Sequence, residues 1–169
     1  MAGLRVLGID CGSTSTGYGV VESDGRSCRV LGFGVIRASR QLRFAQRLKR
    51  IHQQVEKLLK RYAPDAIAIE KVFLASNVKS QMQMSQVCGV VLLAAERAQR
   101  PVHEYSARTI KSSMVGFGGA EKHQVQLMVQ RLLDLPKPPE PADASDALAV
   151  ALCHIRIEEG QRKAAGRGA

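Results

Sequence analysis

Apolar positions fall in short runs near the N-terminus and change period after residue 40. Leu4–Asp10 (LRVLGID) has the pattern of a buried strand and ends on an acid; CGSTSTG after it is a polar turn. Tyr18–Glu22 and Arg29–Arg37 read as a second and third strand, separated by the turn-forming Ser23-Asp24-Gly25. Three strands with short connections predict an antiparallel meander. Between Arg40 and Tyr62 the apolar residues Phe44, Leu48, Ile51, Val55, Leu58 and Tyr62 recur at spacings of three and four, which marks one face of a helix. Its other positions carry Arg43, Arg47, Lys49, Arg50, Lys57, Lys60 and Arg61, and Pro64-Asp65 ends it. Ala66–Glu70 (AIAIE) is a short strand of the kind buried on both faces, and it too ends on an acid.

Ser80–Arg97 predicts a long helix whose second half is apolar almost all round, so it must be covered on more than one side. Pro101–Tyr105 is a fifth strand, and Ser106 has the chemistry of an N-cap for a short helix. Met114–Ala120 holds three glycines and reads as a loop. Val125, Met128, Val129, Leu132 and Leu133 mark another amphipathic helix; the four prolines of Leu135–Pro141 exclude regular structure after it. The last helix is predicted from Asp143 to about Ile157, with Ala144, Ala147, Leu148, Ala151, Leu152 and Ile155 on one face. One domain over residues 1–157 follows, with 158–169 as a basic, disordered tail. Alternating strands and helices from the third strand to the fifth predict parallel pairing with right-handed crossovers. The fold class is therefore α/β, a mixed five-stranded sheet with helices on both faces.

Four acids occupy informative places in this outline. Asp10 and Glu70 each close an apolar strand, and ligands collect at the carboxyl ends of parallel strands. Asp143 and Asp146 begin the last helix; at about 100° per residue they sit about 60° apart, away from its apolar stripe. Packing that stripe on the sheet would bring all four together. Two carboxylates about 4 Å apart repel by about 4 kcal/mol at an effective dielectric of about 20, so such a cluster calls for cations. Hard oxygen donors without a nearby His or Cys pair suit magnesium or manganese. Taken singly, each acid has an ordinary alternative as a turn, cap or helix-dipole residue.

Charge narrows the partner. Lys and Arg number 25 against 15 Asp and Glu, a formal net charge of +10. That balance suits a polyanion. The longest apolar run, Val87–Ala95, is far shorter than a membrane span needs and there is no signal-peptide pattern, so nucleic acid is expected rather than membrane. The cysteines Cys11, Cys28, Cys88 and Cys153 lack CxxC spacing and read as reduced thiols, as in a cytoplasmic protein.

GIDCGSTSTGYGV, AIEKVFLASN, EYSARTIKSSMVGFGGAEKHQVQ and ADASDALAVALCH, in this order from about Leu4 to His154, resemble the RuvC-type Holliday-junction resolvases, the bacterial crossover junction endodeoxyribonucleases. The resemblance implies a ribonuclease-H-like fold and paired symmetric nicks in a four-way DNA junction, serving recombination and repair. It implies two Mg2+ per subunit, with Mn2+ able to substitute, held by Asp10, Glu70, Asp143 and Asp146. It also implies a homodimer, for which the helix Ser80–Arg97 with Gly89 is the interface, and a helicase complex that migrates the junction. Lys111 and Lys122 fall where the family places cations beside the scissile phosphate, and they flank the glycine-rich loop. Phe73, which could stack on an unpaired base, lies with Asn77 on a loop near the junction centre, and Arg108 joins them as a DNA contact. Cys11 stands where the family usually has proline, and His123 replaces a small polar residue.

Two other readings share some of these residues. GIDCGSTSTG also resembles the phosphate loop of sugar kinases and related ATPases, but no second DxG loop is present. A ribonuclease-H-like enzyme acting on ribosomal RNA precursors would lack the late DxxD pair that Asp143 and Asp146 supply.

Overall fold

The computed structural model describes residues 3–72 and 77–165. Its sheet is built from β1 (Leu4–Asp10), β2 (Ser15–Ser23), β3 (Cys28–Arg37), β4 (Ala66–Glu70) and β5 (Val102–Tyr105). The order is β3-β2-β1-β4-β5. The first three strands form the antiparallel meander, and β4 joins β1 in parallel, as β5 joins β4. The helices are α1 (Phe44–Tyr62), α2 (Val78–Arg97), α3 (Ala107–Val115), α4 (Lys122–Leu132) and α5 (Ala142–Ala165). Ser106 is the N-cap of α3, its hydroxyl accepting from Thr109 N–H at 3.0 Å.

Side-chain alternation divides the sheet into two unlike faces. Leu7, Ile9, Ile67 and Ile69 point to one side and join a core with Ile51, Val55 and Leu59 of α1 and Val87, Val91 and Ala95 of α2. Val6 and Ala68 point to the other, where Leu148, Ala151 and Leu152 of α5 meet Ile110 and Met114 of α3 and Val129 of α4. The second face is lined by small residues. A side chain at Gly8 would overlap the carbonyl oxygen of Ala147, one at Gly17 the carbonyl oxygen of Asp143, and one at Gly19 would meet Leu148. These glycines let α5 lie closer to β1 and β2 than any larger residue would permit.

Three expectations need correction. The one-sided apolar stripe expected for the last helix is too narrow: from Ala144 to Ile155 every residue except Asp146 is buried, because the sheet covers one side and α3 and α4 the other. The helix also continues through Glu158 to Ala165, so this part of the expected tail is helical, while 166–169 lie outside the described residues. By contrast, α2 is covered by the sheet and by α1, in keeping with the expectation of cover on more than one side, while Val78, Met82, Leu92 and Leu93 stay 42–61% exposed in the single chain. The basic helix begins at Phe44 rather than Arg40, and Arg47 does not join its solvated face but turns inward, its guanidinium donating to the Ser13 carbonyl at 3.3 Å.

Candidate active site

The same alternation that sends Ile9 and Ile69 to the α1–α2 side sends Asp10 and Glu70 to the α5 side. Parallel register pairs Ile9 with Ile69, so the two acids leave adjacent strands side by side. Gly17 stands opposite Asp10 on β2, and the close seat of α5 over Gly17 carries Asp143 to that point. Among the described residues, carboxylate oxygens of Asp10, Asp143 and Asp146 lie within 4.8 Å of one another. Glu70 stands on the flank of this triplet, near enough for the charge of Asp146 to act on it.

The electrostatics are those of a crowded anionic site. Asp10 is pushed up to about 7, first by burial, then by Asp146, Asp143 and Glu70, with Lys122 opposing. Glu70 is raised by burial and by Asp146, against Lys111 and Lys122. Lys122 Nζ donates to Asp146 Oδ2 at 2.6 Å, and that bond holds its own proton more firmly. The Ser15 hydroxyl donates to Asp143 Oδ2. A set of carboxylate oxygens, partly buried and only partly neutralised, fits a hard divalent cation, which would draw the proton from Asp10. Thiols do not join it: Cys11 is buried, and its contact with Cys88, together with burial, raises its pKa and keeps it protonated.

The remaining sequence candidates divide. Lys111 on α3 and Lys122 at the start of α4 both act on the acid cluster. Arg108 is exposed, its aliphatic stem packed where Gly118 has no side chain. Asn77 is the N-cap of α2, its Oδ1 accepting from Ser80 N–H at 3.1 Å. Phe73 lies outside the described residues.

Two residues were missed. Ser15 is one hydroxyl among several in a polar turn, and nothing in its spacing points to Asp143. Gln81 lines a cleft of about 300 Å3 with Asp10, Glu70 and Met84. It is 9% exposed, and its Oε1 has no hydrogen-bond partner among the described residues. A polar residue seven positions before the buried Cys88, on the same side of the helix, was the available signal.

The profile of the family described as crossover junction endodeoxyribonuclease RuvC matches residues 6–154. The chain is 48% identical over 165 residues to the crossover junction endodeoxyribonuclease RuvC of Idiomarina loihiensis, covering 95% of this chain and 92% of that protein. Against the protein of the same description from Vibrio cholerae it is 47% identical over 169 residues, with 96% of each covered. The Thermus thermophilus RuvC solved in complex with Holliday junction substrate superposes with a TM-score of 0.90 at 36% identity, covering 94% of this chain and 96% of that one. The yeast mitochondrial Holliday junction resolvase, at 16% identity and a TM-score of 0.68, shares the fold. With its fold and nearly its whole length matched by these relatives, the chain belongs to the RuvC family of crossover junction endodeoxyribonucleases.

Proposed function

We propose that this protein is a metal-dependent endodeoxyribonuclease that resolves four-way DNA junctions by paired, symmetric nicks. The observation that carries the reading is the Asp10–Asp143–Asp146 triplet at the carboxyl end of β1, flanked by Glu70, in a member of this family. Asp10, Glu70, Asp143 and Asp146 would hold two Mg2+, or Mn2+ in its place, one oxygen-rich cluster serving both. Divalent ions in such a site supply Lewis acidity for phosphodiester hydrolysis.

The chain's own groups prepare the site. Ser15 fixes the orientation of Asp143, and Lys122 that of Asp146. Lys111 and Lys122 place two cations where the phosphate backbone must approach an otherwise anionic centre. Arg108, exposed on the same helix as Lys111, adds a backbone contact beside the glycine-rich loop. Phe73 and Asn77 sit in sequence between Glu70 and α2 and are assigned to the junction centre. Two active sites are needed for paired cuts, and a two-fold dimer matches a two-fold junction. The exposed Val78, Met82, Leu92 and Leu93 of α2 are the apolar surface that such a dimer would bury. A junction-migrating helicase complex would work on the same substrate.

The test is cutting of an immobile four-way junction with Mg2+, with linear duplex of the same sequence as control. Nicks at paired sites on opposing strands are expected. Equal cutting of the linear duplex would refute junction selectivity. Asp10→Asn and Asp146→Asn should each slow cutting by about 10³-fold or more, the scale of several kcal/mol of metal-borne stabilisation, while junction binding persists.

A further inference from the structure

Two grooves adjoin at the free edge of the sheet. One, about 610 Å3, lies between the β1–β2 turn and the β3–α1 connection and is lined by Thr14, Ser15, Arg37, Ser39, Arg40 and Arg50. The other, about 450 Å3, runs down between β3 and α1 past Tyr18, Gln54, Lys57 and Arg61. Arg37 and Arg50 line both, so the two form one trough. No carboxylate lines it among the described residues, and none of its Arg or Lys residues forms an ion pair there. The opposite flank of α1 differs: the groove of about 440 Å3 between α1 and α2 contains Glu56, which pairs with Arg97 at 3.7 Å. Among the described residues the α2 flank of α1 thus carries an acid beside its cations, and the trough flank carries none.

The trough is anchored to the acid cluster. Ser15, at its mouth, bonds to Asp143 and pairs in register with Arg37. Ala38 N–H donates to the Thr14 carbonyl at 2.9 Å, tying the two loops together. Arg50 Nε donates to the Arg37 carbonyl at 2.7 Å, which fixes that guanidinium and leaves its remaining N–H groups for a ligand. Guanidinium groups held in this way match phosphate oxygens, and the hydroxyls of Thr14 and Ser39 add short donors.

We propose that this trough is a second DNA-backbone site, which holds the duplex arm next to the cut. It rests on the nuclease reading above. The trough lies on the α1 side of the sheet and the acids on the α5 side, and the two meet at the end of the sheet where Ser15 bonds to Asp143. The trough thus receives phosphates of the arm that passes round this end from the acid cluster. The contact is to backbone, so it positions the arm and carries no sequence preference.

The test is junction binding by fluorescence anisotropy over a series of salt concentrations, without Mg2+ so that no cutting occurs. Arg37→Ala with Arg50→Ala should weaken binding at least tenfold and reduce the slope of log K against log salt by about two, near one per lost phosphate contact. Arg40→Ala with Lys57→Ala, which removes no intramolecular hydrogen bond among the described residues, should act in the same direction. Lys60→Ala, on the α2 flank, should leave both quantities unchanged. Neutral methylphosphonates scanned one at a time along the arm beside the cut should include positions that weaken binding by the parent protein but not by the Arg37/Arg50 variant. Unchanged affinity and slope in both double variants overturn the proposal, as does an equal loss with Lys60→Ala. A parent protein that binds through the trough yet cuts no junction would instead overturn the nuclease reading and leave the trough standing.

Discussion

Helices α2 and α5 are both long and both rich in apolar residues, yet the fold uses them differently. α5 is buried from Ala144 to Ile155 apart from Asp146, with the sheet below it and α3 and α4 above. α2 buries Val87, Cys88, Val91, Ala94 and Ala95 against the sheet and α1, and leaves Leu92 and Leu93 in solvent. Their glycine contacts differ in the same sense. α5 rests on Gly8 and Gly17, where no side chain fits, while Gly89 of α2 faces open space. An all-round apolar helix is thus either the centre of its own domain or an element with one side left for another surface. The central helix can then carry the proposed metal-holding acids Asp143 and Asp146, because its position is fixed on every side.

The sharpest way to break this comparison is to place a charge on each helix. Leu148→Asp buries an unpaired carboxylate and should cost more than about 4 kcal/mol, leaving the chain unfolded by circular dichroism. Leu93→Asp should change the stability of the single chain by no more than about 0.5 kcal/mol, yet shift sedimentation towards monomer. If both unfold the chain, α2 has no free side. Gly17→Val comes next. It forces α5 off β2 at the carbonyl of Asp143, so cutting should fall by about 10²-fold, the cost of roughly 1 Å of misplacement. Thermal stability should drop by about 1–3 kcal/mol, as for other overpacked sites. A variant that cuts like the parent would show that the seat of α5 does not set the site.

A smaller effect is read in the pH dependence of stability without metal. Folded Asp10 keeps its proton up to about 7, whereas the unfolded chain releases it near 4, so this group lowers stability as pH rises through that window. His154, held down at about 4 by burial and then by His103, acts oppositely: the unfolded chain protonates first, near 6.5, and stability falls as pH drops. Asp10→Asn should therefore make stability rise more steeply with pH between about 4 and 7, as measured by thermal melts. Saturating Mg2+ should act in the same direction, because it expels the same proton. An identical profile in parent and variant would contradict the crowding assigned to Asp10. The smallest effect concerns the end of α5. Gly160→Ala, in an exposed helical position with nothing nearby, should stabilise by about 0.5–1 kcal/mol. No gain in melting temperature would argue against a helix there.

The strands and acids were legible because their signals are local. β1 and β4 match the ranges read from LRVLGID and AIAIE, since a run of apolar residues closed by an acid and a turn has few other uses. The meander followed from short connections, and Ser106 was recognised as a cap from residue type alone. The face-wise burial of α5 and α2 was not legible, because periodicity reports which side of a helix is apolar and not how many neighbours cover it. Glu158–Ala165 read as a tail for a related reason: a polar helical extension has no apolar stripe. In the site, Lys122 was found through its motif, whereas Ser15 bonds to Asp143, more than a hundred residues away, and Gln81 lines a cleft with the distant Asp10.

The sequence by itself determined the element order, the four acids, the basic balance and the family, all of which are written in residue types and short spacings. Tertiary structure decided which of these act together. Strand alternation put Asp10 and Glu70 on the face lined by Val6, Gly8 and Ala68, and the missing side chains at Gly8 and Gly17 let α5 descend until Asp143 and Asp146 met Asp10. It also separated the cations of α1 into an inward Arg47, a flank that holds Glu56 and a flank with no acid among the described residues. The physical reason is the same in each case. Charge and hydrogen bonding act over a few ångströms of space, and only close packing of distant segments sets those distances.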